Sequence, residues 1–157
     1  MDFKNILSNE RAIIDFIDSG ATVYQRSRSE LRGEGHSLWI YKINRVISNV
    51  NSCKLFDGNI DSIYAYREGV SSFALYFLTV YSDSTVRKII AQIGYPFTAD
   101  ENEIANRDFD ILCWSYENVN LGLLPDRKQN FKDKTNDRVL YILTNMKISA
   151  LGNSKDD

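Results

Sequence analysis

This chain of 157 residues has the length of one domain. Its 43% hydrophobic and 25% charged residues argue against an intrinsically disordered protein. A net charge of −2, with a pI near 5.5, argues against a nucleic-acid binder that relies on overall positive charge. Two cysteines do not make a disulfide framework, and the longest apolar run, residues 73–80, is too short to span a bilayer.

The first predicted element is a short helix over residues 9–18. Ser8 is its expected N-cap, and Ser19-Gly20 is its expected end. Its inward face is predicted to hold Ile13, Phe16 and Ile17. Residues 21–36 are predicted to form a short strand followed by a loop.

Residues 37–50 fit two structures. Helical spacing relates Trp39, Ile43, Val46, Ile47 and Val50, whereas residues 39–41 have high β-propensity. We favour the helix over the strand.

Two antiparallel strands are predicted at 62–68 and 71–81, joined by a turn at Gly69. In the first strand, Ile63 and Ala65 face away from the tyrosines with which they alternate. The second strand is apolar on both faces, which is typical of a central strand covered on both sides.

The clearest helix covers residues 83–93, with Ser82 or Asp83 as its cap and Gly94 as its end. Residues 100–108 are polar and are predicted to form a single helical turn. Further strands are predicted at 109–116, 119–124 and 138–144, with a charged loop at 126–137.

Consecutive strands with one inserted helix predict an α+β fold. We expect a mostly antiparallel sheet of about 4–6 strands, with about 2–4 helices packed mainly on one face. The expected domain covers residues 1–151, and residues 152–157 are expected to form a frayed tail.

Residues suited to catalysis are scarce. His36 is the one histidine, with Glu34 beside it, and Cys53 and Cys113 are the two cysteines. A small enzyme that uses His36 with Glu34 or a cysteine is one alternative hypothesis. No phosphate loop, nucleophile motif or metal-ligand spacing accompanies these residues, so we assign no catalytic residue, no metal site and no cofactor. Cys113 lies in an apolar strand, where we expect a buried thiol with a raised pKa.

The strongest basic patch contains Arg26, Arg28 and Arg32, close to Tyr24. On a strand, Arg26 and Arg28 would project to the same side and could grip phosphates. Nucleic-acid binding through these arginines is the second alternative, which the overall charge disfavours.

The functional prediction depends on the acidic segment, residues 100–117. Six carboxylates against Arg107 give it a local net charge of −5, whereas six basic and three acidic residues give +3 over residues 21–60. The six are Asp100, Glu101, Glu103, Asp108, Asp110 and Glu117.

If residues 109–116 form a strand, Asp110, Trp114 and Tyr116 point to one face. Aromatic side chains anchor protein interfaces, and carboxylates steer a cationic partner toward them. We therefore predict a partner-binding surface made of the six carboxylates with Trp114 and Tyr116.

In size, acidity, aromatic content and lack of catalytic signatures, the chain resembles small bacterial inhibitor proteins of the toxin-immunity kind. The resemblance is one of general character and carries over no residue. It implies a non-enzymatic module that neutralises a basic protein, such as a nuclease toxin, by covering its active site. The sequence further predicts a cytoplasmic protein without a signal peptide or a membrane partner. An exposed sheet edge would permit a homodimer or an added partner strand.

Overall fold

The computed structural model describes residues 7–20, 22–23, 29–32, 38–47, 54–55, 58–125, 138–148 and 152–154. The helices in these residues are α1 (Glu10–Gly20), α2 (Asp83–Ile93) and α3 (Glu101–Ala105). The strands are β1 (Thr22–Val23), β2 (Ser29–Arg32), β3 (Leu38–Tyr41), β4 (Arg45–Ile47), β5 (Lys54–Leu55), β6 (Gly58–Glu68), β7 (Ser72–Val80), β8 (Leu112–Tyr116), β9 (Val119–Pro125), β10 (Arg138–Thr144) and β11 (Gly152–Ser154).

The main sheet has eight strands. Seven follow the order β1-β4-β6-β7-β10-β9-β8, and β5 pairs with β6. Every neighbouring pair is antiparallel. Without the two-residue strands β1 and β5, six strands remain, so the predicted α+β fold with a mostly antiparallel sheet is confirmed. A separate three-stranded sheet has the order β11-β3-β2.

The β6–β7 hairpin lies at the centre of the main sheet and matches its prediction. Gly69 has a φ of 61° in the connecting turn, a left-handed conformation that glycine adopts readily. Along β7, the odd-numbered residues from Phe73 to Phe77 belong to one buried cluster, and Ala74 and Tyr76 belong to another. Since neighbouring residues of a strand face opposite ways, β7 is covered on both faces, as its continuous apolar run predicts.

All three helices pack against the face of the sheet that holds Phe73. Their apolar residues join the same cluster: Ile13, Ile14, Ile17, Val86, Ile89, Ile90, Ile93 and Ile104. Full burial of one such side chain contributes about 1.5–3 kcal/mol, so this face supplies much of the stability of the fold. The expected packing of the helices on one face is confirmed for the described residues.

The N-cap and the buried face of α1 differ from the prediction. Its N-cap is Asn9 rather than Ser8, because Oδ1 of Asn9 accepts a hydrogen bond from the Ala12 N–H at 3.0 Å. Its buried face holds Ile14 in place of Phe16, whose ring is exposed. α2 follows its prediction, since Ser82 caps its start and Gly94, with a φ of 90°, ends it.

The predicted helix over residues 37–50 is wrong. The described parts of this segment form β3 and β4. β3 pairs with β2 and β11, while Val46 and Ile47 of β4 pair with Tyr64 and Ile63 of β6. The high β-propensity of this segment is realised because both strands find backbone partners that are remote in sequence.

The C-terminal strands lie close to their predicted positions. β8 begins at Leu112, later than residue 109, and its hairpin partner β9 follows the turn at Glu117-Asn118. β10 has the predicted bounds. Residues 152–154, expected to fray, form β11 beside β3, because its backbone finds hydrogen-bond partners there. The charged loop at 126–137 lies outside the described residues.

Candidate functional site

The acidic segment lies at one end of the main sheet. It contains α3 and β8, and β8 is the last strand in the sheet order. Its register with β9 runs from Leu112 opposite Leu123 to Tyr116 opposite Val119. One long edge of β8 therefore faces away from the sheet, at the periphery of the fold.

Asp100 and Glu103 close the N-terminus of α3. The Glu103 N–H donates to Oδ1 of Asp100 at 2.8 Å, and the Asp100 N–H donates to Oε1 of Glu103 at 3.1 Å. These reciprocal bonds satisfy two backbone donors that a helix N-terminus otherwise leaves to solvent. Both residues stay exposed, as does Glu101, so they combine a structural role with surface charge.

Arg107 points away from the surface. It is the one cation of the acidic segment, yet it is only 6% exposed. Its guanidinium carbon lies 4.5 Å from the ring centre of Tyr81, and Nη2 lies 3.4 Å from Oδ2 of Asp83. The six acidic residues of the segment are all exposed. The surface is therefore more negative than the count of charges in the sequence indicates.

Trp114 is a core residue and not the exposed anchor that the sequence predicts. It is 2% exposed, and its Nε1–H donates to the Gly94 carbonyl at 2.9 Å. Tyr116 is half-buried and packs against the same cluster. Strand alternation does place both rings on one face, but that face meets the helices. Asp110 precedes β8 and is exposed, so it does not share this face.

Two aromatic side chains that the sequence prediction missed are exposed beside the acidic segment. Tyr95 is 54% exposed and Phe97 is 73% exposed. The Phe97 N–H donates to the Cys113 carbonyl, and the Cys113 N–H donates to Oγ1 of Thr98, both at 3.0 Å. These bonds hold residues 97–98 along the outer edge of β8. The sequence did contain a signal for their exposure. Tyr95 and Phe97 follow closely after Gly94, and they belong neither to the apolar stripe of a helix nor to the alternation of a strand.

We call the exposed aromatic and acidic residues of this part of the chain the acidic aromatic surface. Its members are Tyr95, Phe97, Asp100, Glu101, Glu103, Asp108, Asp110 and Glu117. Backbone contacts fix the positions of its later members, since the Asp108 N–H donates to the Glu103 carbonyl at 2.7 Å. Glu117 occupies the β8–β9 turn with a φ of 54°. The set combines apolar contact area with six negative charges, an arrangement that suits a cationic protein surface.

Two tyrosines, Tyr81 and Tyr141, are buried, and Tyr81 contacts the guanidinium of Arg107. Burial raises the pKa of Tyr81 and of Tyr141, so both phenols stay protonated at neutral pH. Tyr141 is buried in β10, and its hydroxyl has no hydrogen-bond partner among the described residues. A buried hydroxyl without a partner lowers the stability of the folded state.

Tyr141→Phe is therefore expected to raise the free energy of unfolding by about 1 kcal/mol, because it removes a desolvated hydroxyl and leaves the ring in place. Tyr76→Phe is the matched control in the neighbouring strand, where the hydroxyl donates to the Lys42 carbonyl at 3.0 Å. We expect that change to cost about 1 kcal/mol. Urea unfolding of both variants measures the difference, and an equal loss in the two would show that Tyr141 has a partner.

Most of the other candidate residues fall outside the part of the chain that the structure describes. His36, Glu34, Cys53, Arg26 and Arg28 lie outside the described residues, as does the side chain of Arg32 in β2. Cys113 is buried, and burial raises the pKa of its thiol to about 11, as its place in an apolar strand predicts. The described part of the chain has no group of three or more His, Cys, Asp or Glu side chains that could hold a metal ion. None of the described helices is long and apolar enough to cross a membrane.

The chain was compared with protein-family models, with curated proteins and with solved structures, and no significant match was found.

Proposed function

We propose that this chain is a non-enzymatic protein-binding module that neutralises a basic partner through the acidic aromatic surface. The partner class is a bacterial toxin such as a basic nuclease, and the chain acts as its inhibitor or immunity protein. Exposed carboxylates substitute for the phosphates of the partner's substrate, and the chain thereby covers the partner's active site.

The inward direction of Arg107 is the observation that carries this proposal. Its guanidinium is buried against Tyr81 and paired with Asp83, so the charged side chains that the segment exposes to solvent are its six carboxylates. Exposed carboxylates attract a cationic surface over a distance and speed its association.

Tyr95 and Phe97 supply the apolar part of the same surface. Large exposed aromatics are enriched at protein interfaces, where few residues account for most of the binding energy. The Phe97 N–H donates to the Cys113 carbonyl of β8, so little backbone conformational entropy is lost when Phe97 is covered. The exposed rings replace Trp114 as the proposed anchors.

The test begins with co-purification of the tagged chain from its native cells at low and high salt, with mass spectrometry of the bound protein. We expect a stoichiometric basic protein that is lost as salt rises, because exposed charges are screened. Association of that protein with purified variants is then measured by stopped flow.

Replacing Asp108, Asp110 and Glu117 together with lysine is expected to slow association at least tenfold and to weaken its salt dependence. Each single replacement of these three residues by lysine changes the net charge by two, and Asp15→Lys, at an exposed position of α1, is its charge-matched control. Phe97→Ser is expected to speed dissociation about tenfold, whereas Val70→Ser, at an 85% exposed residue of the β6–β7 turn, is expected to leave it unchanged. Unchanged kinetics in the lysine and Phe97 variants would remove this surface from consideration.

A further inference from the structure

The outer edge of β8 offers unused backbone hydrogen-bonding groups at Ser115. The N–H and C=O of Cys113 point away from β9, because they bond to Thr98 and Phe97. In a strand, the backbone groups of residues two apart point the same way. The N–H and C=O of Ser115 therefore also point outward, and they have no hydrogen-bond partner among the described residues. The residue itself is exposed.

Residues 97–98 occupy the place of a neighbouring strand beside Cys113, and Ser115 is the next outward-facing position of this edge. A strand rises about 3.3 Å per residue, so an extended segment next to Ser115 would begin roughly 7 Å from that contact. It would abut Phe97 at one end and approach Glu117 at the other. This edge therefore brings backbone donors and acceptors, an aromatic contact and negative charge to one short stretch.

We propose that the partner inserts an extended, basic segment that adds to the main sheet as a strand beside β8, with its backbone paired to Ser115. The proposal rests on the proposed function and gives its binding mode. Strand addition takes affinity from main-chain hydrogen bonds and specificity from alternate side chains. Here the cationic side chains meet the carboxylates, and an apolar residue of the segment meets Phe97.

Charge complementarity selects this occupant over a second copy of the chain. A second copy would bring its own Glu117, in the turn that follows β8, and its own net negative charge to this edge, and like charges repel. A basic segment has the opposite effect. Self-association through β8 is therefore not the expected use of this edge.

The probe is a synthetic eight-residue peptide that alternates lysine and valine, titrated into the full-length ¹⁵N-labelled chain. We expect saturable shifts of the Ser115 amide resonance and slower hydrogen exchange at that amide. A peptide with the N–H groups of one edge methylated is expected to bind at least tenfold more weakly, because it cannot donate to the Ser115 carbonyl. A peptide that alternates glutamate and valine should not bind.

Ser115→Pro removes the outward N–H at an edge position, where proline is tolerated, and is expected to weaken peptide binding at least tenfold with the fold retained. Ser115→Ala keeps the backbone groups and removes only the hydroxyl, which donates to Oδ1 of Asn120. It should bind like the parent chain, and urea unfolding checks that both variants are folded.

Peptide binding that survives both N-methylation and Ser115→Pro, or no binding at millimolar peptide, would overturn strand addition. The proposed function is judged separately. It stands if the co-purified protein still depends on Phe97 and the carboxylates, and it fails if those variants bind that protein like the parent chain.

Discussion

Trp114→Ala is expected to lower the free energy of unfolding by about 3–5 kcal/mol. The indole is 2% exposed, and it packs in the cluster that joins the helices to the sheet. Its removal leaves a cavity and also breaks the hydrogen bond from Nε1–H to the Gly94 carbonyl. Chemical denaturation monitored by circular dichroism measures the change.

Trp114→Phe separates the two contributions. It keeps most of the apolar volume and loses the hydrogen bond, so we expect a cost of about 1–2 kcal/mol. A Trp114→Ala variant that unfolds like the parent chain but no longer binds a partner would show that Trp114 contacts the partner and is not a core residue.

Asn145→Ala is expected to lower the free energy of unfolding by about 2–4 kcal/mol, from three hydrogen bonds lost at once. Oδ1 of Asn145 accepts the Phe73 N–H at 3.1 Å. Its Nδ2 donates to the Ser71 carbonyl at 2.6 Å and to Oε2 of Glu10 at 3.1 Å. The side chain thus links the residue after β10 to α1, to the β6–β7 turn and to the start of β7. Thermal and urea unfolding give the magnitude.

Asn120→Ala is the matched control for this effect. Asn120 lies in β9, and its Nδ2 donates to the Met146 carbonyl at 3.0 Å, while its Oδ1 accepts from the exposed Ser115 hydroxyl. We expect a cost of about 1 kcal/mol there, because fewer bonds are lost and water can replace one of them. A similar cost for the two asparagines would mean that the contacts of Asn145 do not act together.

The two classes of variant distinguish stability from binding. Substitutions at Trp114 and Asn145 act on packing and on hydrogen bonds that join separate elements, and they are expected to change unfolding. Substitutions at Phe97 and Glu117 act on exposed side chains that take no part in the cap of α3, so they are expected to change binding with little effect on unfolding. A variant that changes both quantities would indicate that the edge of β8 and the core are coupled.

Local patterns in the sequence predicted most elements correctly where the local signal was strong. Three such patterns are the alternation in β6, the two-sided apolar run of β7, and the apolar stripe of α2 between Ser82 and Gly94. Each pattern involves residues that are close in sequence. The sequence also located the acidic segment, because charges that are close in sequence remain close in any fold. These features led to the fold class and to the location of the candidate surface.

The sequence by itself determined the α+β class, the central strand and the acidic segment, because periodicity, turn chemistry and local charge depend on near neighbours. Tertiary structure alone decided which members of that segment reach solvent. Contacts with Tyr81 and Asp83 take Arg107 inward, contact with Gly94 holds Trp114 in the core, and bonds to Cys113 fix the loop of Phe97 at the edge. Residues 37–50 show the same limit, since β4 forms against Tyr64 and Ile63 of β6. Pairings of this kind join groups remote in sequence, and their free energy exceeds the weak local preference that a sequence pattern expresses.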